Sequence, residues 1–385
     1  MMENTRSTDK TIAWSVGEEQ FFARWRSEAG LPPPASLLVA DDTLSADAAW
    51  RLLAAGQALL WRGDWVNARH LLQALARRAE RRINRPGKAP ATAAEAFAAH
   101  RLRQGERAGL LARLLVEVRG DYRVPLRRAQ NVVEPCCEAW GVPGGETSLV
   151  SLRELLALIS AHEWRKKGVF VSAVGGRIHP HYGVFSPVRG EYVDLVARAP
   201  LPRPPADCLA FDIGTGSGVL AAVLARRGVA RVVATDLAPR ALACAGENLV
   251  RLGLAAQVEC CQADLFPAGE ADLVVCNPPW VPAEPTSPVE HAVYDPGSRM
   301  LRGFLAGLAA HLRPDGEGWL IISDLAEHLG LRTRQELLEW IAAAGLVVSE
   351  RLDTRPQHPK SRDGQDPLHA ARAAEVTSLW CLRRG

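Results

Sequence analysis

The sequence has no long apolar segment and no paired-cysteine motif, and these absences narrow the class of protein. No stretch approaches the roughly 18 consecutive apolar residues that a membrane-spanning helix requires. The amino-terminal region lacks the apolar core that a secretory signal contains. The eight cysteines include no pair at C-x-x-C spacing, so we expect reduced, mostly buried thiols and no metal site. These features predict a cytoplasmic protein without a membrane segment.

Charge of one sign is not in large excess either. The chain has 46 basic and 43 acidic residues, and a net charge of +3 says little about its partners. The dense basic segment is Arg77–Lys88 (RRAERRINRPGK). A solvated helix face and loop is the simpler interpretation of this segment, and a contact with RNA, the ribosome or an acidic partner is the alternative.

With 385 residues, the chain is long enough for about two domains. Residues 1–165 show apolar side chains at three- and four-residue spacing, which predicts a helical amino-terminal domain for substrate recognition or as a lid. The predicted helices are Ala46–Leu60, Trp65–Arg82, Ala91–His100, Arg107–Arg119 and Ser151–Lys167. Residues 166–205 are predicted to form a short β-hairpin, with its turn at Gly175-Gly176, and a linker.

Residues 206–385 alternate between strand-like and helical patterns. The first four predicted strands are Cys208–Ile213, Arg231–Thr235, Gln257–Cys261 and Asp272–Cys276. Strands that alternate with helices indicate an α/β fold, in which a parallel sheet is covered by helices on both faces. We therefore predict a Rossmann-like catalytic domain over this range.

A glycine-rich loop, in the segment FDIGTGSGVL, follows the first of these strands. Gly214, Gly216 and Gly218 allow a sharp turn and a close approach of backbone to a ligand. Their G-x-G-x-G spacing differs from the G-x-G-x-x-G of a nicotinamide-binding fingerprint. An acidic residue also lies near the end of each of the first three strands, namely Asp212, Asp236 and Asp264. Because the carboxyl ends of parallel strands meet at one edge of a sheet, this set predicts a nucleoside-binding site.

These residues resemble the donor site of class I S-adenosylmethionine-dependent methyltransferases. The resemblance implies a seven-stranded sheet in the order 3-2-1-4-5-7-6, with the last strand antiparallel. It also implies that Asp212 and the glycines hold the amino-acid part of the donor, Asp236 the ribose and Asp264 the adenine. The full set of implied S-adenosyl-L-methionine contacts is Asp212, Gly214, Thr215, Gly216, Gly218, Asp236, Leu237, Asp264, Leu265 and Asn277.

The tetrad Asn277-Pro278-Pro279-Trp280 follows the fourth strand. A planar amide or aryl amine is a poor nucleophile because its nitrogen lone pair is delocalised. The side-chain oxygen of Asn277 and the carbonyl oxygen of Pro278 can accept both hydrogens of such a group and so localise electron density on the nitrogen. Successive prolines stiffen the loop, and Trp280 can lie flat on a planar acceptor. The tetrad therefore predicts methyl transfer to a planar nitrogen, with all four residues in the catalytic set.

The tetrad resembles the (N/D)PP(Y/W/F) motif of N-methyltransferases that act on glutamine, adenine N6 and guanine N2. The order of the parts resembles the HemK/PrmC-like group of small-domain methyltransferases. This resemblance implies a protein or RNA acceptor, including the ribosome or a translation factor, and a substrate-binding role for Tyr182 and Phe185 beside Trp280. The chain departs from the group in having Trp280 at the tyrosine position and a longer amino-terminal region.

Two other functions fit parts of this pattern. A small-molecule methyltransferase would use the first 165 residues as a lid or for dimerisation. A non-catalytic RNA-binding module would keep the fold without the chemistry. The intact glycine loop, acids and tetrad favour an active enzyme over the second of these.

Overall fold

The computed structural model describes residues 11–83, 90–188, 190–356, 364 and 366–385. The chain divides into two compact units. The first comprises Met1–Ala89 and Ala99–Glu163, and the second comprises Pro90–Ala98 and Trp164–Gly385. A short segment of the amino-terminal half therefore groups with the second unit. Within the described ranges, no helix is long and apolar enough to cross a bilayer.

The first unit is built on a six-stranded mixed sheet. Its strands are β1 (Thr11–Val16), β2 (Glu19–Arg26), β3 (Leu37–Ala40), β4 (Ala58–Trp61), β5 (Leu114–Val118) and β6 (Ser148–Ser151). They lie in the order β1-β2-β6-β5-β4-β3. The helices in this part of the chain are α1 (Ala46–Ala54), α2 (Trp65–Ile83), α3 (Ala93–Leu111), α4 (Val133–Trp140) and α5 (Leu152–Lys167). The prediction of a helical domain over residues 1–165 is therefore wrong.

Two predicted helices end early, and a strand follows each. The helix predicted over Ala46–Leu60 ends at Ala54, because Gly56 adopts a φ of +95° that side-chain-bearing residues rarely adopt. The helix predicted over Arg107–Arg119 ends at Leu111. Strands β4 and β5 follow, and nearly all of their side chains are buried. A short continuous apolar segment has no periodicity that distinguishes a buried strand from a helix.

The hairpin predicted at Gly175-Gly176 forms, and it groups with the second unit. Strands β7 (Val169–Val171) and β8 (Gly176–Ile178) pair in antiparallel fashion. Gly175 lies between them with a φ of +63°, in the left-handed region that favours glycine. Helix α6 (Glu191–Arg198) follows and buries its apolar face.

The second unit contains a seven-stranded sheet. Its strands are β9 (Leu209–Ile213), β10 (Arg231–Asp236), β11 (Val258–Gln262), β12 (Ala271–Cys276), β13 (Leu312–Ser323), β14 (Leu346–Thr354) and β15 (Thr377–Arg384). Counted along this sheet, they lie in the order 3-2-1-4-5-7-6. β15 is antiparallel to both of its neighbours, and the other pairs are parallel. This is the order that the resemblance implied.

Helices cover both faces of this sheet. They are α7 (Val219–Arg226), α8 (Pro239–Arg251), α9 (Arg299–His311), α10 (Leu325–His328), α11 (Arg334–Ala343) and α12 (His369–Ala374). Apolar side chains of α6, α7 and α8 form one buried cluster with the sheet, and those of α9 and α11 form another. The predicted α/β layering is confirmed, and it leaves the carboxyl ends of the central strands to carry the candidate site.

Candidate functional site

Three strand ends meet at one level of the seven-stranded sheet. In the register of the sheet, Cys276 of β12 pairs with Ile213 of β9, and Ile213 pairs with Thr235 of β10. The residues that follow these three along the chain are Asn277, Gly214 and Asp236. Because neighbouring strands are about 4.8 Å apart, the tetrad and the Asp236 carboxylate flank the glycine loop on its two sides.

The glycine loop has a backbone that only glycine adopts readily. Gly214, Gly216 and Gly218 have φ angles of +70°, +55° and +79°. A Cβ atom at Gly218 would lie 3.1 Å from the Cα atom of Ala245 in α8, so close helix packing also excludes a larger residue. A Cβ atom at Gly216 would meet no other atom within 4 Å. The loop therefore presents bare backbone to open space at Gly216.

The carboxyl group of Asp212 is buried behind this loop, with 1% of the residue exposed. The Thr215 hydroxyl donates a hydrogen bond to Asp212 Oδ2 over 2.6 Å, and the Ala221 N–H donates to the same oxygen over 3.0 Å. Burial raises the pKa of Asp212 to about 6, although both hydrogen bonds act to lower it. These contacts are internal, and they join β9, the loop and α7.

Asp236 holds the loop from the other side. Its Oδ2 atom accepts a hydrogen bond from the Gly216 N–H over 3.0 Å, and its Oδ1 atom accepts one from the Ala238 N–H over 2.9 Å. Burial raises the pKa of Asp236 above its usual value. The backbone N–H of Leu237 is a third donor to this carboxylate, and because a carboxylate offers about four acceptor positions, one remains for a further donor. The neighbouring Leu237 side chain is 55% exposed and offers an apolar surface.

Asp264 and Leu265 follow β11 at the same edge. The Asp264 carboxylate forms an exposed ion pair with Arg299, with 2.9 Å between Oδ2 and Nη2. Leu265 has a φ of +75°, which is uncommon for a residue other than glycine. The Thr235 hydroxyl donates a 2.6 Å hydrogen bond to the Leu265 carbonyl oxygen. Arg299 and Thr235 therefore support the site, and the sequence analysis did not single them out.

The tetrad forms a turn that is held by its own side chains. Pro278 is buried, whereas Asn277, Pro279 and Trp280 are half-buried. The indole N–H of Trp280 donates a hydrogen bond to the side-chain oxygen of Asn277, with 2.9 Å between Nε1 and Oδ1. This bond occupies one acceptor position of the oxygen that the sequence analysis assigned to the methyl acceptor.

An apolar cluster packs beside the Trp280 ring. Its buried members are Phe97, Val281, Leu329, Leu368 and Ala371. The rings of Phe97 and Tyr294 lie with 6.4 Å between their centroids. Phe97 comes from Pro90–Ala98, which the sequence analysis assigned to the amino-terminal domain. Phe97 is far along the chain from the other members of this cluster. The local spacing of apolar residues therefore does not predict their contact.

Comparison with known proteins shows what this part of the chain is similar to. Residues 176–333 match the family model described as methyltransferase small domain. This segment therefore resembles methyltransferase small domains. It contains all the predicted donor residues, the tetrad, Tyr182 and Phe185.

Relatives of this segment support the same resemblance. A release factor glutamine methyltransferase of Cereibacter sphaeroides is 35% identical over 176 residues, which are 42% of this chain and 58% of the relative. One of Moorella thermoacetica is 38% identical over 149 residues, which are 33% of this chain and 53% of the relative. A ribosomal protein L11 methyltransferase of Pelotomaculum thermopropionicum is 49% identical over 69 residues, which are 17% of this chain and 22% of the relative.

The chain thus spans a little more than half the length of the two release factor methyltransferases. These matches confirm that the second unit resembles class I S-adenosylmethionine-dependent methyltransferases of the HemK-like group.

The predicted substrate-binding residue Tyr182 and its neighbour Val184 lie against α8. The Arg240 guanidinium lies 5.6 Å from the centroid of the Tyr182 ring. Val184 packs against Ala241 and Cys244 of the same helix, and Phe185 is half-buried. This segment is thereby close to the helix that follows Asp236, and its contact with an acceptor stays a prediction.

The basic segment Arg77–Lys88 lies outside residues 176–333, which match the family model. Its first part ends α2, where Arg77, Arg81 and Arg82 are exposed. Residues 84–88 lie outside the described residues. Both interpretations of this segment therefore stay open.

Proposed function

We propose that the protein is an S-adenosylmethionine-dependent N-methyltransferase that methylates a side-chain amide nitrogen of a protein. The observation that carries this proposal is the alignment of Asn277, Gly214 and Asp236 at three adjacent strand ends. A ligand seated on the glycine loop has the acid on one side and the tetrad on the other. The site therefore combines a place for a donor with a place for an acceptor nitrogen.

The residues around the loop fit S-adenosylmethionine. The Cα atom of Gly216 faces open space, and Asp236 keeps an acceptor position for a ribose hydroxyl. Leu237 offers an exposed apolar surface, and the Asp264 side chain is 59% exposed, so it is accessible to an adenine amino group. Asp212 positions the loop from behind without reaching the ligand. When bound, the donor supplies a methyl group on a positively charged sulfur.

Two oxygen atoms of the tetrad bind and orient the acceptor nitrogen. The second acceptor position of Asn277 Oδ1 and the Pro278 carbonyl oxygen accept the two hydrogens of an amide NH₂ group. These bonds hold the nitrogen in one orientation and draw electron density onto it, so positioning supplies most of the rate. A strong general base is not needed, because the nitrogen loses its proton after it has gained the methyl group.

The relatives favour a protein acceptor over a small molecule or an RNA. Two of them are named for the methylation of glutamine in release factors, and one for ribosomal protein L11. A glutamine side chain ends in the planar NH₂ group that the Asn277 and Pro278 oxygens suit. We therefore propose a glutamine side chain as the acceptor, in a release factor or another protein of translation.

The test replaces Asn277 with alanine and follows transfer from an isotope-labelled donor to purified, unmethylated bacterial release factor. We expect transfer to fall on the order of 100-fold, as for the loss of one positioned polar group in other active sites. Donor affinity, measured by calorimetry, should change less than about threefold, because the donor contacts of the loop and Asp236 remain. The control is Gln335→Ala, which removes an exposed amide on α11 and should leave transfer unchanged. Unchanged transfer by the Asn277→Ala variant would exclude the tetrad as the catalytic element.

A further inference from the structure

The hydrogen bond between Trp280 and Asn277 determines which end of the Asn277 side chain faces the ring. An indole N–H only donates hydrogen bonds, so it must face the carboxamide oxygen and not the amide nitrogen. The 2.9 Å distance between Nε1 and Oδ1 fits that arrangement. The Asn277 side chain is therefore held with its oxygen toward the indole, and one acceptor position of that oxygen is left.

The Trp280 ring is itself held in place by packing. It contacts the two clusters that cover the faces of the sheet and the apolar cluster that contains Phe97 and Leu329. The next residue, Val281, accepts a 2.9 Å backbone hydrogen bond from the Asp295 N–H at the start of the segment that leads to α9. A ring that is packed by three clusters has little freedom to move onto a substrate. It is well placed to fix the orientation of a neighbouring group.

We propose that Trp280 is a positioning residue, which acts through Asn277, for the amide methylation described above. The inference rests on the proposed function, and it replaces the expectation that the ring lies flat on the acceptor. The indole N–H holds the carboxamide so that the free acceptor position of Oδ1 points to the acceptor nitrogen. Without this donor, the Asn277 side chain can rotate and present its NH₂ end, which repels an acceptor N–H.

The first test separates positioning from stacking. Trp280→Phe keeps an aromatic ring and removes the N–H donor. With unmethylated release factor as the probe, we expect kcat to fall about tenfold, which corresponds to about 1.4 kcal/mol, while KM and donor affinity stay within about twofold. A change in KM with unchanged kcat would instead indicate that the ring contacts the acceptor, and would overturn the proposal.

A double-mutant cycle shows whether Trp280 acts through Asn277. In the Asn277→Ala background, Trp280→Phe should lower kcat by less than about twofold, because the partner of the N–H is already gone. A further tenfold loss would mean that the two residues act independently, and it would contradict the proposal. The matched control is Trp340→Phe, a half-buried tryptophan of α11 that packs on the same sheet and should keep wild-type kcat.

A spectroscopic measurement tests the bond without an acceptor. The chain has 11 tryptophans, and the indole N–H resonance that disappears in Trp280→Phe belongs to Trp280. In Asn277→Ala this resonance should shift and exchange faster with solvent, because it has lost its hydrogen-bond acceptor. An unchanged resonance would overturn the proposal even if methyl transfer is observed. If no probe is methylated by the wild type, the proposed function fails, and the resonance still decides whether the bond exists.

Discussion

Replacing the buried Asp212 with asparagine should change how the stability of the protein depends on pH. Burial raises the pKa of this carboxyl group from 3.8 to about 6. An acid with a raised pKa binds its proton more tightly in the folded state than in the unfolded state. The free energy of unfolding therefore falls as the pH rises from about 4 to about 6, and the loss is complete above that range. An asparagine at this position cannot ionise, so the free energy of unfolding of the variant does not fall with pH for this reason.

The structure sets the size of the effect. The pKa rises by about 2 units, and each unit corresponds to about 1.36 kcal/mol, so the total loss is about 3 kcal/mol. The residue is 1% exposed, so solvent does not screen the effect appreciably. About half of the loss, on the order of 1 kcal/mol, falls between pH 5 and pH 8, because the unfolded-state acid is already mostly ionised at pH 5.

The assay is urea-induced unfolding of the wild type and Asp212→Asn at several pH values between 5 and 8. The free energy of unfolding of the variant, relative to the wild type, should increase by on the order of 1 kcal/mol over this range. Thr215→Val removes a hydrogen bond that lowers the pKa of Asp212, so this pKa should rise further. The free energy of unfolding of Thr215→Val should therefore continue to fall at a higher pH than that of the wild type. A difference between wild type and Asp212→Asn that stays constant or decreases with pH would refute the reasoning.

Two further predictions concern the loop and the cluster beside the tetrad. Gly216→Ala and Gly253→Ala each place a side chain at a positive φ with open space around it, so each should cost about 1–2 kcal/mol in unfolding free energy. Calorimetry should show weaker S-adenosylmethionine binding for Gly216→Ala alone, and equal affinities for the two variants would argue against a donor on this loop. Phe97→Ala should lower the free energy of unfolding by about 3–5 kcal/mol, because it leaves a cavity among buried side chains. The matched Phe22→Ala, at a residue that is 60% exposed, should change it far less, and similar losses in urea unfolding would contradict the packing described here.

The second unit was predictable because its signals are local. A strand, a glycine loop and a helix follow one another between Leu209 and Arg226, and strand-end acids recur at the same edge of the sheet. The order of the strands followed from the family resemblance and not from the pattern itself. The tetrad could be recognised in the sequence because successive prolines after an apolar strand are unusual.

The first unit and the side-chain contacts of the site could not be predicted, because they depend on contacts that the sequence pattern does not encode. Strands β3 and β4 of the first unit have four residues each, and their Ala- and Leu-rich segments have no period that separates them from helices. The packing of Phe97 near the tetrad joins segments that are far apart along the chain. The internal role of Asp212 and the bond from Trp280 to Asn277 depend on where side chains point, which is set only once the surrounding core has packed.

The most direct test of the central claim is mass spectrometry of cell extract that has been incubated with the enzyme and an isotope-labelled methyl donor. The account predicts that the label appears in a protein, on a side-chain amide nitrogen, and that Asn277→Ala lowers it on the order of 100-fold. Label confined to RNA or to small molecules, or label in protein that the Asn277→Ala variant produces at the wild-type level, would contradict the account.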